Sequence, residues 1–599
     1  MWIGWLLVFS AALRAQVWDT GGNGLLSGTY YFRYVAWQGQ YDATNNLKYG
    51  IAVYGNIVFN NGAYTLSQAQ EFDSQSEVSR SWTVTGTYSI SPNGYGLLSS
   101  LFTPGDSVNI LVSGAGGLIV GSSRNPGTGY NDLFLAAPLV SQASTLFNGT
   151  YTLIGVDDPT LNVADTRSYQ MSLTFGTPSA HLSGYFALKG GTLATQSFSD
   201  IRFTYSNSAE AVSFGAELTT FNVDSDLMSG NKYLYISPDG KFVFGGSPNG
   251  WDLIVGVRQS SDVISGLYYR AGISQDDTPA AAHRYVNLNS WYGALNAIAG
   301  GTLIGHRRIM SASPNAVHQY DLTDSSSLSG SAGSYSDSLN QYSFSAGGTF
   351  GVGFQGLGNG SSLGIEVLVA APAAAPSGSV YIYPNGIVNA GSDAPFSASW
   401  APGELISIYG ANLASAATVD GTLPTALGGA QVLINGVPAP IYSVSSGQIN
   451  AVIPINLDPK TTTVATLQVT NDRGSSNTVF NYVGETQPGV FNSIGSVPAV
   501  QHADYSPVNS SHPARAGEIL LIYLTGIGAI DMAGNATNTI TASIGGIPAA
   551  IVSAGTGSAS GGAYQMNATV PNGLNAGNVY LTISGPDSTN SSTVIPIGN

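Results

Sequence analysis

Hydrophobic and polar residues alternate with a period of two along much of the chain between residues 25 and 368. Tyr233 and Tyr235 precede a Pro-Asp-Gly turn, and Phe242 and Phe244 follow it. This is the pattern of two antiparallel strands that each bury one face. Proline sets the first dihedral angle of such a turn, and glycine accepts its left-handed position. Because no helical period interrupts the region, the sequence predicts an all-β fold.

One short motif occurs three times in this region. Residues 27–31 (SGTYY), 148–152 (NGTYT) and 265–269 (SGLYY) place their glycines 121 and 117 residues apart. The spacing predicts three modules, at residues 16–140, 141–258 and 259–369. Short strands need closure or stacking to hide their edges. We therefore predict an antiparallel β-barrel, loosely calycin-like, in each module, with a β-sandwich as the alternative.

A different repeat follows an Ala/Pro-rich linker at residues 370–379. Residues 401–409 (APGELISIY) are echoed by 515–523 (RAGEILLIY), and residues 448–454 (QINAVIP) by 565–571 (QMNATVP). Short apolar strands separated by turn residues are typical of an immunoglobulin-like β-sandwich. The sequence predicts two such sandwiches, at residues 380–486 and 487–599, and we expect them to fold without the N-terminal modules.

The C-terminal part of the chain resembles a known family, the Solibacter-type C-terminal domain of uncharacterised function that ends large exported acidobacterial proteins. The resemblance rests on motifs in a shared order: residues 388–390 (VNA), 401–410 (APGELISIYG), 423–429 (LPTALGG), 435–440 (NGVPAP), 447–450 (GQIN) and 487–491 (QPGVF). It implies immunoglobulin-like modules of the IPT/TIG kind and brings no catalytic residues. The N-terminal modules also resemble β-rich repeats that accompany this tail.

Composition narrows the functional classes. Only 9% of the residues are charged and the formal net charge is −16, which argues against binding to a phosphate backbone, so we expect no nucleic-acid partner. The chain has no cysteine, so disulfides and thiolate metal sites are excluded. An apolar run before residue 15 predicts a signal peptide at residues 1–15 and a secreted or cell-surface location. No later run is long enough to predict a transmembrane helix.

Candidate chemistry is limited to two acidic pairs. Asp157-Asp158 and Asp276-Asp277 follow their motif glycines by eight and ten residues, which suggests a shared role in a loop. Loop carboxylates suit a hard cation, so we interpret these four residues as candidate calcium ligands; solvated turn residues are the alternative. No catalytic motif is recognisable, and no other cofactor is expected.

Aromatic residues offer a second hypothesis. Trp37, Trp82, Trp251, Trp291 and Trp400, with many tyrosines, could stack on sugars or could pack in cores. We interpret the chain as an exported, non-catalytic surface or adhesion protein whose partners are carbohydrate or other cell-surface proteins, with specific recognition in the N-terminal modules. The alternatives are a secreted polysaccharide-acting enzyme and a calycin-like barrel that binds a small ligand.

Overall fold

The predicted all-β fold is confirmed. The computed structural model describes residues 20–598 except for residues 42–45, 103–105, 115–116, 124–129, 142, 163–165, 176–178, 184–186, 190–191, 195–200, 208–211, 215–231, 263, 281–282, 299–301, 314–315, 332, 337–339, 356–361, 373–377, 393–398, 420, 463, 492, 495–496 and 557–560. Within the described residues, the helical elements are one α-helical turn, Ala143–Leu146, and two 3₁₀ turns, Asn23–Leu25 and Ala346–Gly348. The predicted signal segment lies outside the described residues.

The first sheet closes into an eight-stranded antiparallel barrel. Strand β1 pairs with both β2 and β9, and β3 pairs with β5, so the ring has no open edge. The short β4 extends the outside of β3. The barrel, preferred over a sandwich from the sequence, is confirmed here. Its strands are β1 (Gly28–Tyr41), β2 (Leu47–Asn60), β3 (Ala63–Asp73), β4 (Arg80–Trp82), β5 (Thr85–Ile90), β6 (Tyr95–Ser99), β7 (Ser107–Val112), β8 (Ile119–Ser123) and β9 (Tyr130–Pro138).

The second sheet closes in the same way. Strand β10 pairs with β11 and with the last strand, β19, while the β13–β14 hairpin adds to the edge of β11. Its strands are β10 (Gly149–Asp157), β11 (Arg167–Phe175), β12 (Ser179–Ser183), β13 (Ala187–Lys189), β14 (Thr192–Ala194), β15 (Ile201–Asn207), β16 (Val212–Phe214), β17 (Lys232–Ile236), β18 (Phe242–Gly246) and β19 (Leu253–Arg258).

The two edge strands of the third sheet, β23 and β24, follow one another in the chain, so this sheet also curves round, and we call it the third barrel. Strand β20 pairs with β21 and with the last strand, β28. Strand β23 pairs with β22, and β24, which is separated from β23 by Leu328 alone, pairs with β25. The strands are β20 (Gly266–Ala280), β21 (His283–Ile298), β22 (Thr302–Ser313), β23 (Ala316–Ser327), β24 (Ser329–Ser331), β25 (Ser334–Ser336), β26 (Asn340–Phe344), β27 (Phe350–Gln355) and β28 (Ser362–Ala370).

The three barrels share a buried core, which their outer faces form. Because successive side chains of a strand point to opposite faces, Tyr30 packs inside the first barrel while Tyr31 packs outside it. Tyr268 and Tyr269 divide in the same way in the third barrel. The outward Tyr31 stacks on Tyr235 of the second barrel with 4.5 Å between ring centroids. The modules are therefore packed together and are not separate beads on the chain.

The first C-terminal module is a sandwich of two five-stranded sheets around one apolar core. One sheet has the order β29-β30-β35-β34-β31, and the other contains β33, β32, β36, β37 and β38. The strands are β29 (Tyr381–Asn389), β30 (Leu405–Ala411), β31 (Ala417–Thr418), β32 (Gln431–Ile434), β33 (Val437–Pro438), β34 (Ile441–Val444), β35 (Gln448–Val452), β36 (Val464–Asn471), β37 (Gly474–Ser475) and β38 (Val479–Tyr482).

The second C-terminal module has a core of its own. Its strand β45 pairs with both β46 and β44, so eight of its strands form one continuous sheet, and β40 and β41 form a separate pair. This module hydrogen-bonds to the first module: Tyr564 Oη donates to the carbonyl of Gly403 (2.9 Å), and the amide of Leu405 donates to Thr525 Oγ1 (2.7 Å). The strands are β39 (Gly489–Val490), β40 (Ser493–Ile494), β41 (Val497–Pro498), β42 (Val500–His502), β43 (Ile519–Thr525), β44 (Thr541–Ile544), β45 (Ile547–Gly555), β46 (Tyr564–Thr569), β47 (Gly577–Ser584) and β48 (Thr589–Ile597).

The start of the predicted linker is held against the barrels. Ala370 ends β28, and the amide of Ala371 donates to the carbonyl of Leu267 (3.0 Å). Further along, β48 of the last module packs against β23 of the third barrel. The predicted module boundaries stay a prediction.

In the part of the chain that the structure describes, we find no helix that is both long and apolar enough to span a membrane.

Candidate functional site

The acidic pair Asp157-Asp158 is buried at one end of the second barrel. Asp157 ends β10 and lies opposite Arg167, the first residue of β11. The Arg167 guanidinium donates to both carboxylate oxygens, from Nε at 2.8 Å and from Nη2 at 2.9 Å. Asp158 accepts a hydrogen bond from Thr166 Oγ1 at 3.0 Å, and its carbonyl accepts one from Trp251 Nε1 at 2.6 Å. A calcium ion at Asp157 would have to displace a bidentate arginine.

The other pair, Asp276-Asp277, lies within strand β20 and not in a loop. In the backbone register Asp276 lies opposite Asn287 and Asp277 opposite Val286; their side chains are outside the described residues. Among the described residues, no three His, Cys, Asp or Glu side chains gather as a metal site. The hypothesis that these aspartates bind calcium stays a prediction.

A second acid, missed in the sequence, lies near Asp157. Asp252 precedes β19, and its carboxylate accepts from Lys232 Nζ at 2.7 Å. The guanidinium of Arg33, from the first barrel, lies 3.2 Å from the same carboxylate. Arg33 also donates to the carbonyl oxygens of Asp252 (2.9 Å, from Nε) and Gly250 (3.1 Å) and to the hydroxyl of Tyr233. Arg33 therefore ties the first barrel to the second.

The strand register explains why these charges meet. Each of four charged residues lies an even number of positions from an apolar residue in the second barrel's interior, so its side chain also faces inward. All four lie at the same end of the barrel: Asp157, Arg167, Lys232 and Asp252. With Arg33 added, this charged cluster contains three cations and two carboxylates.

Electrostatics distinguishes the two carboxylates of the charged cluster. Burial opposes ionisation of Asp252, but the charges of Lys232 and Arg33 outweigh it and lower the pKa of Asp252 to about 2. Burial raises the pKa of Asp157 even though Arg167 opposes this shift. The two acids thus differ in the ease with which they lose a proton, but each is already engaged by a cation.

Each of the other barrels also buries an acid on its closing strand. In the first barrel, Asp132 on β9 accepts from Ser122 Oγ (2.8 Å), from the amide of Ser123 (2.7 Å) and from Tyr34. Burial raises the pKa of Asp132. The sequence does contain a signal for this feature, because residues 132–135 (DLFL) and 252–255 (DLIV) are related by 120 residues.

In the third barrel, Glu366 on β28 is the buried acid. It accepts from Arg270 Nε at 2.6 Å and Nη2 at 3.0 Å, from Trp291 Nε1 at 2.6 Å and from Tyr342 Oη at 3.1 Å. Both carboxylate oxygens are therefore occupied by the protein's own donors. A fully paired acid in a barrel interior stabilises the register of its strands but has no lone pair directed at a substrate.

The predicted tryptophan platforms are mostly interior. Trp37, Trp291 and Trp400 are buried, and Trp82 and Trp251 are partly buried against apolar cores. The large exposed aromatic residues among the described positions all lie in the C-terminal modules. They are Tyr383, Tyr409, Tyr442, Tyr505 and Tyr580.

Comparison with known protein families identifies one domain of the chain. An IPT/TIG domain matches residues 394–482, which confirms the IPT/TIG resemblance of the first C-terminal module. No curated protein matches the chain.

Three solved structures share distant similarity with the chain. A surface glycan-binding protein from the mixed-linkage glucan utilization locus of Bacteroides ovatus, in complex with a mixed-linkage heptasaccharide, is 12% identical, with 55% of this chain and 60% of that chain covered and a TM-score of 0.18. A transferrin binding protein B mutant from Haemophilus parasuis is 8% identical, with 57% and 76% covered and a TM-score of 0.17. The extracellular region of plexin A4 is 8% identical, with 92% and 60% covered and a TM-score of 0.13. The chain thus spans about 60% of the glucan-binding protein's length, and scores this low do not indicate a shared overall fold.

Proposed function

We propose that this chain is an exported, non-catalytic surface or adhesion protein that binds carbohydrate. The observation that carries the proposal is the distribution of exposed aromatic rings. Where the structure describes the barrels, their large aromatic side chains are buried or partly buried, whereas tyrosines on the C-terminal modules are exposed. Exposed rings offer stacking area at small entropic cost. This distribution favours recognition by the C-terminal modules over the N-terminal location expected from the sequence.

The buried acids also support a binding function over catalysis. A glycoside hydrolase needs two carboxyl groups across an open cleft. In contrast, Asp132, Asp252 and Glu366 are each engaged by the protein's own donors, which for Asp252 include Arg33 of the first barrel. The same engagement disfavours a small ligand held by Glu366 in a calycin-like barrel. Other cell-surface proteins are the second class of partner in this proposal.

We also propose that the C-terminal part belongs to the Solibacter-type family of exported acidobacterial proteins.

The proposal is tested by incubating the full chain with insoluble and soluble polysaccharides and measuring both binding and hydrolysis. We expect retention on at least one polysaccharide without release of reducing sugar. Release of reducing sugar that is abolished by replacing one carboxylate, with folding intact, would establish an enzyme instead.

A further inference from the structure

One solvent-facing sheet of the first C-terminal module combines exposed tyrosines with amide side chains. Strands β29, β30, β35 and β34 lie side by side in this order. Tyr409 on β30 lies directly opposite Gln448 on β35. Tyr383, Tyr409 and Tyr442 are 41%, 38% and 47% exposed in the full chain. We call Tyr383, Tyr409, Tyr442, Gln448 and Asn450 the first tyrosine–amide face.

A β-bulge brings Tyr442 onto this face. The register shifts between Ile441 and Ser443, so one extra residue is inserted into β34 opposite β35. A bulge directs two successive side chains towards the same side of the sheet. Tyr442 and Ser443 thereby both face solvent, and Ser443 lies opposite Asn450.

Hydrogen bonds hold the amides in fixed orientations. Gln448 Nε2 donates to Asn450 Oδ1 (3.0 Å), Asn450 Nδ2 donates to Ser443 Oγ (3.0 Å), and Ser407 Oγ donates to Asn450 Oδ1 (2.8 Å). An amide group has two N–H donors and a carbonyl acceptor. Gln448 uses one donor in this network, so its second N–H and its carbonyl oxygen make no hydrogen bond among the described residues. A preorganised donor and acceptor next to a ring suit a ligand with hydroxyl groups.

The second C-terminal module repeats the arrangement. Tyr523 lies opposite Gln565, and Gln565 Nε2 donates to Asn567 Oδ1 at 2.8 Å. A bulge occurs at the same place in its neighbouring strand, where Val552 and Ser553 are exposed. Core packing explains why inward residues match between the copies, but it does not explain matching outward residues. Val552 occupies the place of Tyr442, so the second copy lacks one ring.

The chemistry of the first face selects an uncharged partner. Strands β29, β30, β34 and β35 contain no Lys, Arg, Asp or Glu. Tyr409 and Tyr442 are two strands apart, which is about 10 Å across the sheet at the usual strand spacing. The register adds about two residues, ~7 Å, along the strands, because Tyr409 lies opposite Gln448 whereas Ser443, next to Tyr442, lies opposite Asn450. This separation is within the length of a short oligosaccharide. Tyrosine rings stack on sugar rings, and amides exchange hydrogen bonds with hydroxyls. We infer that the first tyrosine–amide face binds a neutral polysaccharide chain, with Tyr409 and Tyr442 stacking on sugar rings and Gln448 bonding to hydroxyls. The inference rests on the proposed function and locates its site.

The test uses the full chain and affinity electrophoresis in gels that contain cellulose derivatives, xylan, mannan or mixed-linkage glucan, with alginate as an acidic comparison. We expect retardation by at least one neutral polysaccharide. Tyr409→Ala and Gln448→Ala should each weaken it about tenfold, as for a central aromatic or polar contact. Tyr442→Val should also weaken it, and it is expected to fold because the second copy carries valine there. Tyr505→Ala and Tyr580→Ala, at exposed tyrosines off the face, should have no effect.

The outcomes separate the site from the function. If a neutral polysaccharide binds and none of the three face variants weakens it, while melting temperatures stay unchanged, the site is wrong and the binding function stands. Retardation only by alginate would refute the argument from charge. If no polysaccharide binds, both the inference and the carbohydrate part of the proposed function fail. Binding of a protein partner that Tyr409→Ala abolishes, without polysaccharide binding, would overturn the inference and keep a binding function.

Discussion

Replacing Arg33 by methionine should uncouple the first two barrels. The change removes the charge but keeps an apolar stem of similar length. It leaves the buried carbonyls of Gly250 and Asp252 without their guanidinium donor, and the Asp252 carboxylate then keeps Lys232 and the donors of Ser247. Hydrogen bonds to a charged group contribute about 1.5–3 kcal/mol each, and breaking a buried pair costs about 3–5 kcal/mol. We expect the free energy of unfolding to fall by about 3–5 kcal/mol.

Urea unfolding followed by tryptophan fluorescence measures this loss, because Trp37 and Trp251 pack in or against the core that the barrels share. The transition reported by these residues should move to lower urea. Arg473→Met is the matched control, since Arg473 is exposed and bonds to Asn412 at 3.1 Å; its effect should be under about 0.5 kcal/mol. A loss below about 1 kcal/mol in Arg33→Met would refute the view that this arginine couples the barrels.

Three further predictions follow from the structure. Nearby cations lower the pKa of Asp252 from 3.8 to about 2 in the folded state, so the folded chain binds fewer protons than the unfolded chain between these pH values. About 2 kcal/mol of stability should therefore be present above pH 4 and lost as the pH falls towards 2. Measuring the urea midpoint as a function of acid pH would test this. A fragment of residues 380–599 should melt cooperatively in calorimetry, since each C-terminal module has its own core, and an unfolded fragment would contradict this. Calorimetric titration of the full chain with calcium should give a dissociation constant no tighter than ~10⁻⁵ M, because Asp157 is already paired with Arg167. Tighter binding would contradict this and would show that further ligands converge on a calcium ion.

Most of the fold could be predicted from the sequence repeats. Glycines at fixed spacing with tyrosine two positions later predict a recurring first strand, and the motif glycines Gly28, Gly149 and Gly266 do stand at the start of β1, β10 and β20 with positive φ angles. Closure into barrels could be argued from edge protection alone. The Asn435-Gly436 turn joins β32 to β33 with both φ angles positive, which is the conformation that makes Asn-Gly a hairpin signal in a sequence.

The shared core of the barrels was missed, although the pattern for it is present. Residues 133–137 (LFLAA) and 253–257 (LIVGV) are apolar at consecutive positions, and all of these residues are buried. A strand with one solvent-facing side alternates, whereas one buried on both sides does not. The loss of alternation in the closing strands therefore indicates that a second layer covers the barrel's outside. Which module supplies that layer depends on long-range packing, and the local sequence contains no signal for it.

The placement of charges follows from this buried architecture. A chain with only 9% charged residues still places carboxylates inside its barrels, and a buried charge is tolerated only when it is compensated or fully hydrogen-bonded. Asp132 meets that condition with hydroxyls and an amide of its own barrel. Asp252 meets it partly with Arg33 from a neighbouring barrel. The second barrel's stability therefore depends on the first, so the N-terminal modules act as one folded unit. The tyrosines of the first tyrosine–amide face are exposed and its strands contain no charged residue, so we expect substitutions there to test binding without loss of the fold.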